Sequence, residues 1–208
     1  MKTFFLMQKQ IKIQKTMKHN ITIIYGSARD DRQGIKAAKF ITRKIKERGH
    51  DVTFIDALDY PLPFLNKMYK EYTPGTAPEP MEKLHNIFRD ADSFVILSAE
   101  YNHSIPAILK NLLDHFQSEY FFKPSAIVPY SAGQYGGVRV GIHLRALLAE
   151  LGMPPISSMF PIANVQDAFD ENGIALIEKY DLYIKRFIDE LEWYTRAYKN
   201  ERANGTPY

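Results

Sequence analysis

Short apolar runs alternate along this chain with stretches in which apolar residues recur every three or four positions. The runs are Ile21–Tyr25, Val52–Ile55, Phe94–Leu97, Ala126–Tyr130 and Ile156–Phe160. They are short, bounded and rich in β-branched residues, so each predicts a buried strand. The intervening periodicity predicts helices. The first carries Ile35, Ala38, Ile41 or Thr42, and Ile45 inward and stops at Gly49. A second, Pro80 to Asp90, turns Leu84, Ile87 and Phe88 inward. A third places Ile105, Ile108, Leu109, Leu112, Leu113 and Phe116 on one face. Ser104 is its expected cap, and Pro106 is tolerated in its first turn. A fourth carries Val140, Leu144, Leu147, Leu148 and Leu151 and stops at Gly152. A fifth is expected over residues 170 to 198, with Ile174, Ile177, Ile184, Ile188 and Leu191 inward. Residues 58 to 80 are rich in Pro and Tyr without a period, which predicts a long surface loop with at most a short helical turn.

Strands alternating with helices imply parallel βαβ units with right-handed crossovers. Five strands allow the order 2-1-3-4-5, an α/β sandwich of three layers. Ligands in such sheets bind beyond the carboxyl ends of the strands, at the switch point between strands 1 and 3. The three unusual loops of the chain follow strands 1, 3 and 4, and this order brings them together there.

Composition narrows the class. A chain of 208 residues, 45% apolar, suits one domain, expected over residues 20–198, with 199–208 as a tail. Residues 1–19 carry five lysines and no acid; without them the net charge of +3 becomes −2. The body is thus close to neutral, and no nucleic-acid partner is expected. For residues 1–19 two readings stand, a basic amphipathic membrane-surface segment or a disordered, peripheral or misassigned start; the second is the expectation, since Met17 stands just before the first strand and termini are where order is least expected. The chain has no cysteine, which excludes disulfides, thiolate catalysis and Cys-ligated metals and fits a reducing compartment, the cytoplasm. No apolar run reaches membrane-spanning length. The six histidines show no metal-ligand spacing.

The chemistry lies in the three loops. The first, Gly26-Ser27-Ala28-Arg29-Asp30-Asp31-Arg32-Gln33-Gly34, precedes a helix whose N-terminus offers free N–H groups and a positive dipole end. Arg29 and Arg32 can add forked, charge-assisted hydrogen bonds to a phosphate. The Walker ending and the three-glycine dinucleotide spacing are both missing. By itself the loop reads equally as a solvated turn with surface arginines. The second loop holds Glu100, Tyr101 and Asn102. Glu100 has no partner His–Asp or second carboxylate in sequence, so no hydrolase is read from it. Either these residues meet a flat ligand, with Tyr101 over a ring, or they satisfy a turn and a helix start. The third loop, Ser131-Ala132-Gly133-Gln134-Tyr135-Gly136-Gly137, has three glycines in seven residues, which lets a backbone approach a planar ligand closely.

Together these stretches resemble a known family. Gly26-Ser27-x-Arg29-x-x-Arg32-x-Gly34, then Glu100-Tyr101-Asn102-His103-Ser104-Ile105-Pro106-x-x-Leu109-Lys110-Asn111-x-x-Asp114, then Ser131-x-Gly133-x-x-Gly136-Gly137-x-Arg139 are similar to the motifs of the NADPH-dependent FMN reductases. That family belongs to the flavodoxin-like superfamily and includes small quinone, azo-dye and chromate reductases. The resemblance runs from about residue 20 to residue 195. It implies an FMN site in which Ser27, Arg29, Arg32 and Gly34 hold the phosphate. Glu100, Tyr101 and Asn102 would pass the isoalloxazine, and Ser131, Gly133, Gly136 and Gly137 would meet its other side. NADPH or NADH is implied as co-substrate, a small electrophile as acceptor, and a homodimer or homotetramer as the assembly. The flavin carries the chemistry, so no catalytic acid or base and no metal is assigned. Ala99 departs from the pattern, standing where the family usually has Pro. Two rival readings are a one-electron flavodoxin-type carrier, against which the two loop arginines and the near-neutral body argue, and a flavin-state sensor that binds a partner protein.

Overall fold

The structure, a computed structural model, describes residues 17–208. The segment 1–16, the bulk of the expected extension, lies outside the described residues. Five strands form one parallel sheet: β1 Asn20–Gly26, β2 Asp51–Asp56, β3 Ser93–Ala99, β4 Ser125–Tyr130 and β5 Pro155–Met159. Their order is β2-β1-β3-β4-β5, as the strand–helix alternation implies. Ile23 pairs in register with Phe54 on one side and Val95 on the other, and Ile96 with Ile127. β5 pairs irregularly, with a register shift between Ser125 and Ile127. β3 is buried along its whole length, which is why it reads as an unbroken apolar run.

Side chains alternate along the strands and feed two cores. On one face Ile21, Ile23, Tyr25, Leu97 and Val128 pack against α1 Gly34–Glu47 and the long C-terminal helix. On the other, Ile24, Phe94, Ile96 and Ile127 pack against α2 Glu79–Asp90, α3 Ala107–Asp114 and α4 Val138–Glu150. Each fully buried Ile, Leu or Phe contributes about 1.5–3 kcal/mol. The loop between β2 and α2 holds two short 3₁₀ turns and is pinned to α3, where the Asn111 amide bonds the Pro63 carbonyl and the Leu65 N–H. α2 begins with Pro80 in its first turn, where a missing N–H costs nothing. Among the described residues no helix is long and apolar enough to cross a membrane.

Two expectations need correction. The last helix starts at Glu178, not near residue 170, and runs to Arg202. The Asp170 carboxylate accepts the N–H groups of Asn172 and Ile174, which closes a turn in place of a helix start. Ile174 and Ile177 are exposed in consequence. Before this turn lies a short helix, α5 Val165–Ala168; the long helix is α6. Ser104 does not cap α3. It closes a two-residue hairpin turn with Tyr101, and the helix begins after Pro106.

α6 is fastened to the amino-terminal edge of the sheet. Glu192 accepts from the His50 Nε2 at 2.9 Å and from Arg48 at 3.0 and 2.8 Å. His50 Nδ1 accepts the His19 N–H, which fixes the proton on Nε2. Burial raises the Glu192 carboxyl, but the bonds from His50 and Arg48 outweigh it and hold the group below its ordinary value. A carboxyl depressed in the folded state binds its proton more readily in the unfolded one. Its stabilisation is therefore full above the ordinary glutamate range and lost as pH falls through the depressed value. Glu192→Gln is expected to cost about 1.5–3 kcal/mol at neutral pH. In urea titrations its gap to the wild type should narrow below about pH 4; a gap independent of pH would show that the charge is not what fastens α6.

Candidate functional site

The turns after β1, β3 and β4 meet at the carboxyl edge of the sheet. They line a cleft of about 350 Å³ with Ser27, Arg29, Arg32, Glu100, Tyr101 and Ser131 among its walls. That volume lies within the range of small-molecule sites. A larger hollow of about 710 Å³ runs along α1 beside Phe54, but none of the three loops opens into it. Loop convergence, not volume, marks the site.

All three loops rest on Tyr130, the last residue of β4. Its ring lies so close to Gly34 that a Cβ there would sit 2.2 Å from it. Glycine at 34 thus lets α1 start directly over the tyrosine. The Tyr130 carbonyl accepts the Glu100 N–H at 3.0 Å. Gly137 has φ +73° and would place a Cβ 2.7 Å from the Tyr130 nitrogen. Sequence reasoning passed over Tyr130 because it reads as one more apolar strand residue.

The loops are also tied to one another. The Ser27 and Tyr101 hydroxyls share a 2.7 Å hydrogen bond, and the Tyr130 hydroxyl bonds that of Tyr25 at 3.3 Å. Burial pushes the Tyr25 and Tyr130 phenols up, so they remain neutral. The Glu100 carboxylate, at the cleft wall, is engaged by the chain itself. One carboxylate oxygen accepts the N–H groups of Arg139 and Val140, each at 3.0 Å, and so caps α4. Tyr101 and Ser104 exchange both backbone bonds across Asn102 and His103, whose φ values are +47° and +65°. Positive φ at both central residues is what a tight hairpin turn needs, and Asn and His tolerate it better than most residues. The turn leaves the Asn102 side chain exposed.

Of the sequence-derived site residues, the structure brings Ser27, Arg29, Arg32, Glu100, Tyr101 and Ser131 to the cleft walls. Gly34 and Gly137 lie just behind, packed on Tyr130, and Gly136 packs on the backbone of Ile162 and Ala163. Gly133 is exposed, with open space where a Cβ would be. The two arginines differ. Arg29 is exposed and without an ion pair among the described residues. Arg32 is half-buried and held by Asp56, at the carboxyl end of β2. Val165 and Gln166 complete the wall, brought there by the return of the chain after β5. Nothing local in the sequence points to them. The position of Asp56 at a strand end was the available signal for it. Among the described residues no group of three or more His, Asp or Glu side chains could hold a metal.

Gly137→Ala is expected to cost at least about 1–3 kcal/mol, from the forced positive φ and from a Cβ held 2.7 Å from the Tyr130 nitrogen, and Gly137→Val more, because its extra methyls crowd the same backbone. Thermal unfolding of both variants checks the order. A valine variant as stable as the wild type would show that the loop is free to move off β4.

Comparison with known proteins agrees with this geometry. The family model for NADPH-dependent FMN reductase matches residues 19–167. The chain is 28% identical over 183 residues to a 2-hydroxy-1,4-benzoquinone reductase of a Burkholderia species, covering 85% of this chain and 96% of that one. It is 32% identical over 124 residues to an NAD(P)H-dependent FMN reductase of Pseudomonas aeruginosa, covering 57% of this chain and 67% of that one. The fold matches that of FerB, a flavoenzyme NAD(P)H:(acceptor) oxidoreductase from Paracoccus denitrificans, with a TM-score of 0.70 at 23% identity over 86% of this chain and 98% of that one. The five-stranded parallel sheet is flavodoxin-like, and the chain belongs to the NADPH-dependent FMN reductase family of oxidoreductases.

Proposed function

We propose that this protein is an NAD(P)H-dependent reductase that holds FMN in the three-loop cleft and reduces a small electrophilic acceptor of the quinone type. The cleft itself carries this reading. It combines an exposed arginine in the loop before α1, the Ser131–Ala132 segment of the third loop, and a carboxylate bonded to the N-terminus of α4. The residues fit the flavin mononucleotide. Arg29 and the positive dipole end of α1 favour a phosphate dianion. Ser131 and Ala132 line the cleft, and the neighbouring Gly133 is exposed with no side chain to crowd a ring system. When bound, FMN supplies two-electron acceptance from a nicotinamide and delivery to the acceptor.

The chain's own residues orient and shield. Glu100 uses its negative charge on the N-terminus of α4, so that charge does not oppose electron density arriving on a ring nearby. Tyr101 links the phosphate loop to the second loop through Ser27, which couples the two ends of the cleft. The phenols behind the site are neutral and serve as donors, not bases. A relative whose name is 2-hydroxy-1,4-benzoquinone reductase supports an acceptor of that class. Exposed Tyr135, Val138 and Ile142 beside the third loop support assembly as a homo-oligomer, and the cysteine-free chain supports a cytoplasmic setting.

Arg29→Ala removes a charge-assisted bond worth about 1.5–3 kcal/mol, so the FMN dissociation constant should rise roughly 10- to 150-fold, and that of riboflavin much less. Fluorescence titration of the apoprotein with both ligands measures this, and equal losses would count against a phosphate at the first loop. Glu100→Gln should keep its flavin and lose less than about tenfold in the rate of anaerobic reduction by NADPH. A thousandfold loss with flavin retained would require a proton transfer by Glu100.

A further inference from the structure

Asp56 ends β2 behind Arg32 of the cleft wall and belongs to none of the three loops. Its side chain is only 7% exposed. It accepts two parallel bonds from Arg32, Nη1 to Oδ1 and Nη2 to Oδ2, each 2.6 Å long. It also accepts the Leu58 N–H at 3.1 Å, which caps the following 3₁₀ turn. The Arg32 guanidinium lies 5.3 Å from the centre of the Tyr25 ring, and its Nη1 donates again to the Ser27 carbonyl at 3.1 Å. Both Nη1 protons are thus used, together with one on Nη2. Every partner belongs to the frame of the site: the end of β1, the first residue after it, and the end of β2.

This arrangement gives the two arginines different work. A phosphate approaching Arg32 would meet a cation already compensated, with the Asp56 charge directly behind it. Arg29 carries no such partner among the described residues. We infer that Asp56 and Arg32 form a positioning latch that fixes the turn after β1, and that Arg29, not Arg32, is the side chain that meets the ligand phosphate. The inference rests on the proposed reading of the first loop as the phosphate end of an FMN site. A latch helps binding because a loop held in its bound shape has little ordering entropy left to lose. Opening it leaves a half-buried guanidinium without its counter-ion.

The competing role for Asp56 is a restraint that keeps Arg32 from the phosphate, and the two roles differ in sign. Dissociation constants for FMN and riboflavin, measured by flavin fluorescence on apoprotein, decide between them. The variants are Asp56→Asn, Arg32→Lys, Arg32→Ala and the double variant Asp56→Asn with Arg32→Ala. Under the latch, Asp56→Asn weakens FMN by about tenfold or more and riboflavin by less than about threefold. Arg32→Lys loses as much as Arg32→Ala, because an ammonium cannot make the two-pronged bond. The double variant loses no more than either single change, as expected of two halves of one interaction. Tighter FMN binding in Asp56→Asn, or wild-type binding in Arg32→Lys, overturns the latch. Equal losses for FMN and riboflavin overturn it too, since the pair would then support the whole fold and not the phosphate loop. A wild type that does not distinguish FMN from riboflavin would remove the phosphate reading itself, a result read from the unmutated protein alone.

Discussion

The site depends on how closely three loops approach the end of β4. Tyr130 sets that approach in three ways at once. Its ring lies beneath Gly34 at the start of α1, its carbonyl takes the Glu100 N–H, and its backbone leaves Gly137 no room for a Cβ. A parallel sheet delivers strand ends to one edge but does not fix the spacing of the loops that leave them. Here one buried tyrosine does so, and its hydroxyl is satisfied by Tyr25 within the same core.

On this frame the polar side chains divide into those that hold the protein and those left for a ligand. Glu100, Arg32, Asp56 and Ser27 spend hydrogen bonds on the chain itself. Arg29, Asn102 and the Gly133 backbone are exposed. This division suits chemistry supplied by a bound flavin, for which the protein's task is placement and a favourable local field. It also explains why a glutamate in the middle of the most distinctive motif need not act as a base: two N–H groups of α4 already occupy one of its oxygens.

The opposite end of the sheet is built differently. There Arg48 and Asp92 hold α6 through ion pairs with Asp189, Glu192 and Lys199, and His50 adds a hydrogen bond to Glu192. The helix that covers one face is thus locked far from the cleft. Stability and ligand binding are placed at opposite ends of the strands. A change at Glu192 should therefore alter unfolding without touching the cleft, and the exchange of ligands need not strain the α6 anchor.

The sequence by itself determined the element order, the five strands and the cofactor class. Those features are written in local periodicity and in motifs whose residues are neighbours in the chain. It also placed three loops at one edge, because strand–helix alternation leaves few topologies. What tertiary structure alone decided were the partners. Two arginines three residues apart look alike in sequence, and only Asp56, distant in the chain, makes one of them a strut. Ser104 looks like a helix cap until the Tyr101 hairpin claims it, and residues 170–177 keep an apolar period that the Asp170 turn breaks. Tyr130 reads as strand filler and becomes the floor of the site. At Arg32 and Tyr130 the deciding energy comes from contacts between segments far apart in sequence, and at Ser104 and Asp170 from a tight local turn that outcompetes the helix the apolar period suggests.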